Sequence, residues 1–60
     1  MQTSEIEAYA RQLYDQMGPR SIAHAARQAA QAEDDGNSDD AGKWRRIEEA
    51  LMTIRGPHQG

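Results

Sequence analysis

The residues of this chain best suited to chemistry are the carboxylates of the stretch 33–40, Glu-Asp-Asp-Gly-Asn-Ser-Asp-Asp, which holds five acidic residues and no base. Oxygen-rich loops of this kind bind calcium in helix–loop–helix proteins. Aligning such a loop from Asp35 puts Asp40 where a turn glycine is required and Arg46 where a bidentate glutamate is required. We therefore assign no metal, and we expect either a solvated loop or an acidic docking surface.

The docking interpretation gives the carboxylates a protein partner with a basic surface. Opposite charges steer such a partner and select it over others. The residues predicted to act in this way are Asp34, Asp35, Asp39 and Asp40.

Basic residues suggest an alternative, a nucleic-acid face on two segments. Three of them recur at helical spacing, and three flank the single tryptophan, as in proteins that stack bases on aromatic rings. The residues are Arg20, His24, Arg27, Lys43, Arg45 and Arg46. The net charge of −3 argues against broad phosphate binding. Trp44 also shares the spacing of Ile47 and Leu51, which is typical of a core or interface residue.

Catalysis and cofactor binding find little support in the sequence. There are two histidines and no cysteine, so thiol catalysis and cysteine-bound metals are excluded. The serines fit caps or turns, and no glycine-rich phosphate loop follows a strand. We predict a protein that is not an enzyme and that carries no cofactor.

The first of the elements that position these residues is a helix at about 5–17. Ser4-x-x-Glu7 matches a capping box. Gly18 suits the left-handed position that ends a helix, and Pro19 suits the first residue of the next one. The predicted apolar stripe contains Ile6, Tyr9, Ala10, Leu13 and Met17.

Two further helices are predicted at about 19–33 and 40–55. The second helix is rich in alanine, and its expected core face is Ile22, Ala26 and Ala29, with Ala25 or Ala30 beside them. Asp39 or Asp40 is expected to cap the third helix. The stripe of the third helix contains Trp44, Ile47, Leu51 and Ile54.

These elements predict an all-α protein, a small three-helix bundle at 1–56 followed by a disordered tail at 57–60. Ten of the hydrophobic residues are alanines, so the core is small and homodimerisation could complete it. The predicted partner or dimer seam is Trp44, Leu51 and Met52. No apolar run could span a bilayer, so we expect no membrane association and a cytoplasmic protein.

The segment from Ala29 to Ile54 resembles short uncharacterised helical proteins of proteobacteria and their phages. In those, an alanine-rich helix leads to a Gly/Asp loop and then to Trp-x-x-Ile with a following Ala-Leu. The residues that carry the resemblance are Gly36, Asn37, Gly42, Trp44, Ile47, Ala50 and Leu51. In size, acidity and helical build, the chain is also similar to phage-encoded inhibitors such as anti-CRISPR proteins. The expected function is thus a phage or bacterial inhibitor or accessory protein that occludes a basic site on a partner.

Overall fold

The computed structural model describes the backbone of residues 2–56 and the side chains of residues 5–56. This part of the chain forms α1 (Gln2–Met17), α2 (Arg20–Asp34) and α3 (Ser38–Arg55). The most extensive packing joins α2 to α3, the next joins α1 to α3, and the least joins α1 to α2. The predicted three-helix bundle is confirmed, with α3 as its central helix. Its completion by a second copy stays a prediction, and the tail at 57–60 lies outside the described residues.

Helix α1 begins earlier than its sequence pattern indicated. Its first residue is Gln2 rather than residue 5, so Ser4 lies inside the helix. The predicted capping box, with Ser4 as the N-cap, is therefore wrong, because an N-cap residue precedes the helical turn that it caps.

Gly18 and Pro19 form the corner between α1 and α2. Gly18 has φ +67°, as expected for a glycine after a helix, and its N–H donates to the carbonyl of Tyr14. Pro19 occupies the N-cap position, one residue before the predicted role. The hydroxyl of Ser21, which is fully buried, donates to the carbonyl of Gly18 at 2.7 Å, so this polar group is satisfied.

The connection between α2 and α3 is only three residues long, 35–37. The N–H of Gly36 donates to the carbonyl of Glu33 at 3.1 Å, and the N–H of Asn37 donates to that of Ala32 at 2.8 Å. This pair of bonds is a Schellman motif, which needs the left-handed backbone of Gly36 at φ +75°. The predicted helix bounds left residues 34–39 as a loop, but Asp34 belongs to α2 and Ser38 and Asp39 belong to α3, so the connection is half as long as predicted.

Asn37 ends the turn and also caps α3. Its side-chain oxygen accepts a hydrogen bond from the N–H of Asp40 at 3.3 Å, and its side-chain nitrogen donates to the Asp40 carboxylate at 2.9 Å. The prediction that Asp39 or Asp40 caps this helix is wrong, because both lie within the first turn.

Helix α2 buries a face without bulk, which allows close packing on α3. The buried residues of α2 are Ser21, Ala25, Ala29 and Ala32. The predicted face is rotated by about one residue, since Ile22 and Ala26 are only half-buried. The close approach to α3 that small side chains favour is consistent with its buried Ala41.

The central cluster joins all three helices. Its buried members are Ala10, Leu13, Ala25, Ile47 and Leu51. Half-buried residues of the predicted stripes pack around it, among them Ile6, Met17, Trp44 and Ile54. Tyr9 was predicted in the core, but it is 44% exposed.

Candidate functional site

The acidic residues of the stretch 33–40 come together at one end of the α2–α3 hairpin. We call this set the acidic end; its members are Glu33, Asp34, Asp35, Asp39 and Asp40. All five are exposed. The short turn brings the last turn of α2 and the first turn of α3 next to each other, so residues of two helices share one surface.

The two halves of the acidic end differ in their relation to the helices. Asp39 and Asp40 lie in the first turn of α3, where the helix dipole favours negative charge. Asp34 ends α2 and Asp35 is its C-cap, where the dipole disfavours negative charge, and the last turn holds no base. The fold thus accounts for Asp39 and Asp40 but gives no internal reason for Asp34 and Asp35.

Charge is strongly segregated along the chain. The chain contains ten acidic and seven basic residues, with a net charge of −3. Because five of the acids and none of the bases lie at 33–40, the remainder carries five acids and seven bases, a net charge of +2. The acidity of the molecule therefore arises from one end.

Glu33 is the member of the acidic end that has an ion-pair partner within residues 5–56. Arg45 donates to the Glu33 carboxylate at 3.3 Å and to that of Glu48 at 3.4 Å. The hydrogen bond to Glu33 and the charge of that carboxylate raise the pKa of Arg45, and Glu48 adds to the effect. Both contacts are long and exposed, so their contribution to stability is small.

The predicted seam residues of α3 fall into three environments. Leu51 is completely buried within the single chain, so it belongs to the core and is not accessible to a partner. Trp44 is half-buried. Met52 is 49% exposed and can contact a partner. The prediction that places these three residues on one seam is therefore wrong for Leu51.

Trp44 is the centre of an aromatic cluster that links the three helices. The ring centroid of Tyr9 lies 6.1 Å from that of Trp44 at an interplanar angle of 71°. The ring of His24 lies at 5.7 Å and 83°. Both are edge-to-face arrangements, which aromatic pairs favour. His24, a member of the alternative nucleic-acid face, is half-buried against Trp44.

An open groove of about 350 Å³ lies between α1 and α3. We call it the α1–α3 groove. Its lining residues are Ile6, Tyr9, Asp40, Lys43, Trp44 and Ile47, with Glu5 beside them. Sequence reasoning missed it, because it placed Ile6 and Tyr9 in the core. The available signal was that Tyr9 and Ala10 are adjacent, about 100° apart around a helix, so both could not lie at the centre of the stripe. The structure buries Ala10 completely and leaves Tyr9 at the edge.

The six basic residues predicted as a nucleic-acid face lie in different surroundings. Arg45 contacts Glu33 of α2, whereas Lys43 and Arg46 line recesses shared with Glu5 and Ile6 of α1. The remaining members lie on α2, where Arg20 and Arg27 are exposed and His24 packs on Trp44. The members on α3 thus lie on different sides of that helix, Arg45 toward α2 and Lys43 with Arg46 toward α1.

Within residues 5–56, no group of three His, Cys, Asp or Glu side chains is arranged to hold a metal ion. None of the described helices has the length and apolar composition needed to cross a bilayer.

No protein-family model, no curated protein and no solved structure matches this chain. The acidic end and the α1–α3 groove are therefore interpreted from their own geometry and charge.

Proposed function

We propose that this chain is a non-enzymatic protein-binding domain that docks its acidic end on a basic site of a partner and occludes it. An inhibitor or accessory protein of a phage or bacterium would act in this way. The observation that carries the proposal is the position of Asp34 and Asp35, two exposed carboxylates at the unfavourable end of α2. Charges that oppose the stability of their own helix are expected where binding needs them.

The mechanism has two parts, attraction at a distance and occlusion on contact. A concentrated negative surface raises the rate of encounter with a positive one, an effect that salt suppresses. On contact, the ends of α2 and α3 cover the partner's basic site. The rest of the chain is net positive, so it would hold the domain in one orientation by repelling the same partner surface.

The test compares two variants with the same change in net charge. Asp34→Asn with Asp35→Asn neutralises the acidic end, and Glu7→Gln with Asp15→Asn neutralises two exposed carboxylates of α1. A partner captured from nuclease-treated bacterial lysate is identified, purified and measured for association rate at low and high salt. We expect the first variant to lower the low-salt association rate roughly tenfold and the second to lower it much less.

Neither pair of changes should unfold the domain, which circular dichroism will check. Neutralising Asp34 and Asp35 removes an unfavourable interaction with the α2 dipole, so its stability should stay the same or rise slightly. Equal rates for both variants and the parent would remove the acidic end from the mechanism. Recovery of nucleic acid without nuclease, lost on replacing Arg20 and Arg27, would support the alternative function.

A further inference from the structure

The α1–α3 groove is continuous with the acidic end, because Asp40 belongs to both. We infer that the groove receives one apolar side chain of the same basic partner, from a short segment in which a Leu, Met or Phe neighbours Lys or Arg. This inference rests on the proposed function. The acidic end would give a fast encounter with the partner, and the apolar contact in the groove would add affinity to the complex.

The lining of the groove fits an apolar side chain. Ile47 is buried at its base, with 3% exposure, and Ile6 and Trp44 are half-buried beside it. Tyr9 stands against the edge of Trp44 and remains 44% exposed. Exposed aromatic residues beside a recess are the usual anchors of protein interfaces, since they bury much area at little entropic cost.

The charges around the groove fit a segment with basic neighbours. The lining of the groove includes two carboxylates, Glu5 and Asp40, and one base, Lys43. Asp40 also belongs to the acidic end, whose other carboxylates precede it in the chain. A Lys or Arg next to the inserted side chain therefore meets carboxylate, whereas an acidic neighbour is repelled.

A small molecule is a poorer fit than a protein segment. Sites for small ligands enclose most of the ligand surface. The α1–α3 groove is only partly enclosed, so a bound small molecule would keep part of its surface in water. One side chain that projects from a larger surface needs no such enclosure, because the flanking surfaces exclude water around it.

The test uses two synthetic peptides that differ at one position. One carries a single Leu among Lys and Arg residues, and the other carries Ser in place of that Leu. Trp44 is the only tryptophan and lines the groove, so its fluorescence reports occupancy directly. Amide chemical shifts in ¹⁵N-labelled protein map the rest of the surface.

We expect the Leu peptide to shift the Trp44 emission and the amide signals of Ile6, Tyr9 and Asp40. The Ser peptide should shift the acidic end alone. Its dissociation constant should be up to about tenfold higher than that of the Leu peptide, as the lost burial of one Leu side chain implies. Equal binding of both peptides with no Trp44 response overturns the inference and leaves the proposed function standing. Absence of any shift at the acidic end overturns both.

Variants of the protein give an independent reading. Tyr9→Ala should remove most of the preference for the Leu peptide, and Tyr9→Phe should keep it. Met52 is exposed, apolar and outside the groove, so Met52→Ala should not affect the preference.

A Trp44 emission that changes with protein concentration in the absence of peptide would assign the groove to a second copy of this chain. That result also overturns the inference.

Discussion

Glycine is expected to have opposite effects on stability at two positions of this chain. Gly36 has φ +75°, a conformation that any side chain destabilises, while Gly42 lies within α3. A Cβ atom at either position would meet no other atom within 4 Å. Only the backbone therefore distinguishes the two sites, which makes them a matched pair.

We predict opposite signs for alanine at these positions. Gly42→Ala should raise the free energy of unfolding by about 0.5–1 kcal/mol, because glycine in a helix interior costs conformational entropy. Gly36→Ala should lower it by about 1–2 kcal/mol, since alanine is strained in the left-handed region. Urea denaturation measures both changes. A loss of stability in Gly42→Ala would show that α3 contacts something at this position.

At the scale of single residues, sequence reasoning was limited by what helical spacing can resolve. Spacing placed Tyr9 on the apolar face of α1 and grouped His24 with the basic residues Arg20 and Arg27 of α2. A position at the border of a stripe is exposed or covered according to the neighbouring helix. Trp44 of α3 decides both cases, since it lies against the two rings.

The helices themselves were predictable because each combines an apolar period with stop signals. Gly18 ends α1 as expected, and Gly56 follows the last residue of α3; both have positive φ. The α2–α3 connection was not predictable to the same degree. The polar and glycine residues at 34–39 were predicted as a loop, but Asn37 bonds to the last turn of α2 and caps α3, which shortens the connection to three residues.

We predict that the start of α3 depends on Asn37 more than on the aspartates that follow it. Asn37→Ala should lower the free energy of unfolding by about 1 kcal/mol, the usual cost of losing an N-cap, and Asn37→Ser should restore most of it. Asp39→Asn should cost less, because it removes only a dipole interaction. Denaturation curves decide the order. A larger loss for Asp39→Asn would return the capping role to that aspartate.

For the molecule as a whole, the sequence predicted the class of fold but not its functional surface. The α1–α3 groove depends on the rotation of α1 about its own axis relative to α3. The spacing of apolar residues along one helix does not specify that rotation. The acidic end was predictable in composition, because it is continuous in sequence. Two of its aspartates interact favourably with a helix dipole and two unfavourably, and this division could be seen only once the ends of α2 and α3 were known.

The smallness of the core makes the whole molecule sensitive to one side chain. Among residues 5–56, five of the eight buried hydrophobic residues are alanines, so Leu13, Ile47 and Leu51 supply the buried bulk. Truncating a buried leucine to alanine costs about 2–5 kcal/mol. The core of a domain of this size rarely supplies more than about 3–5 kcal/mol of stability. The two quantities are comparable, so one substitution could unfold the chain.

We therefore predict that Leu51→Ala is largely unfolded at room temperature, whereas its neighbour Met52→Ala retains the helical signal of the parent. Leu51 is fully buried and Met52 is 49% exposed, so the pair tests burial at adjacent positions. Far-UV circular dichroism over a range of protein concentrations measures the result. A Met52→Ala variant that unfolds on dilution while the parent does not would show that a second copy covers this face. A folded Leu51→Ala variant would mean that the core has support beyond the three helices of one chain.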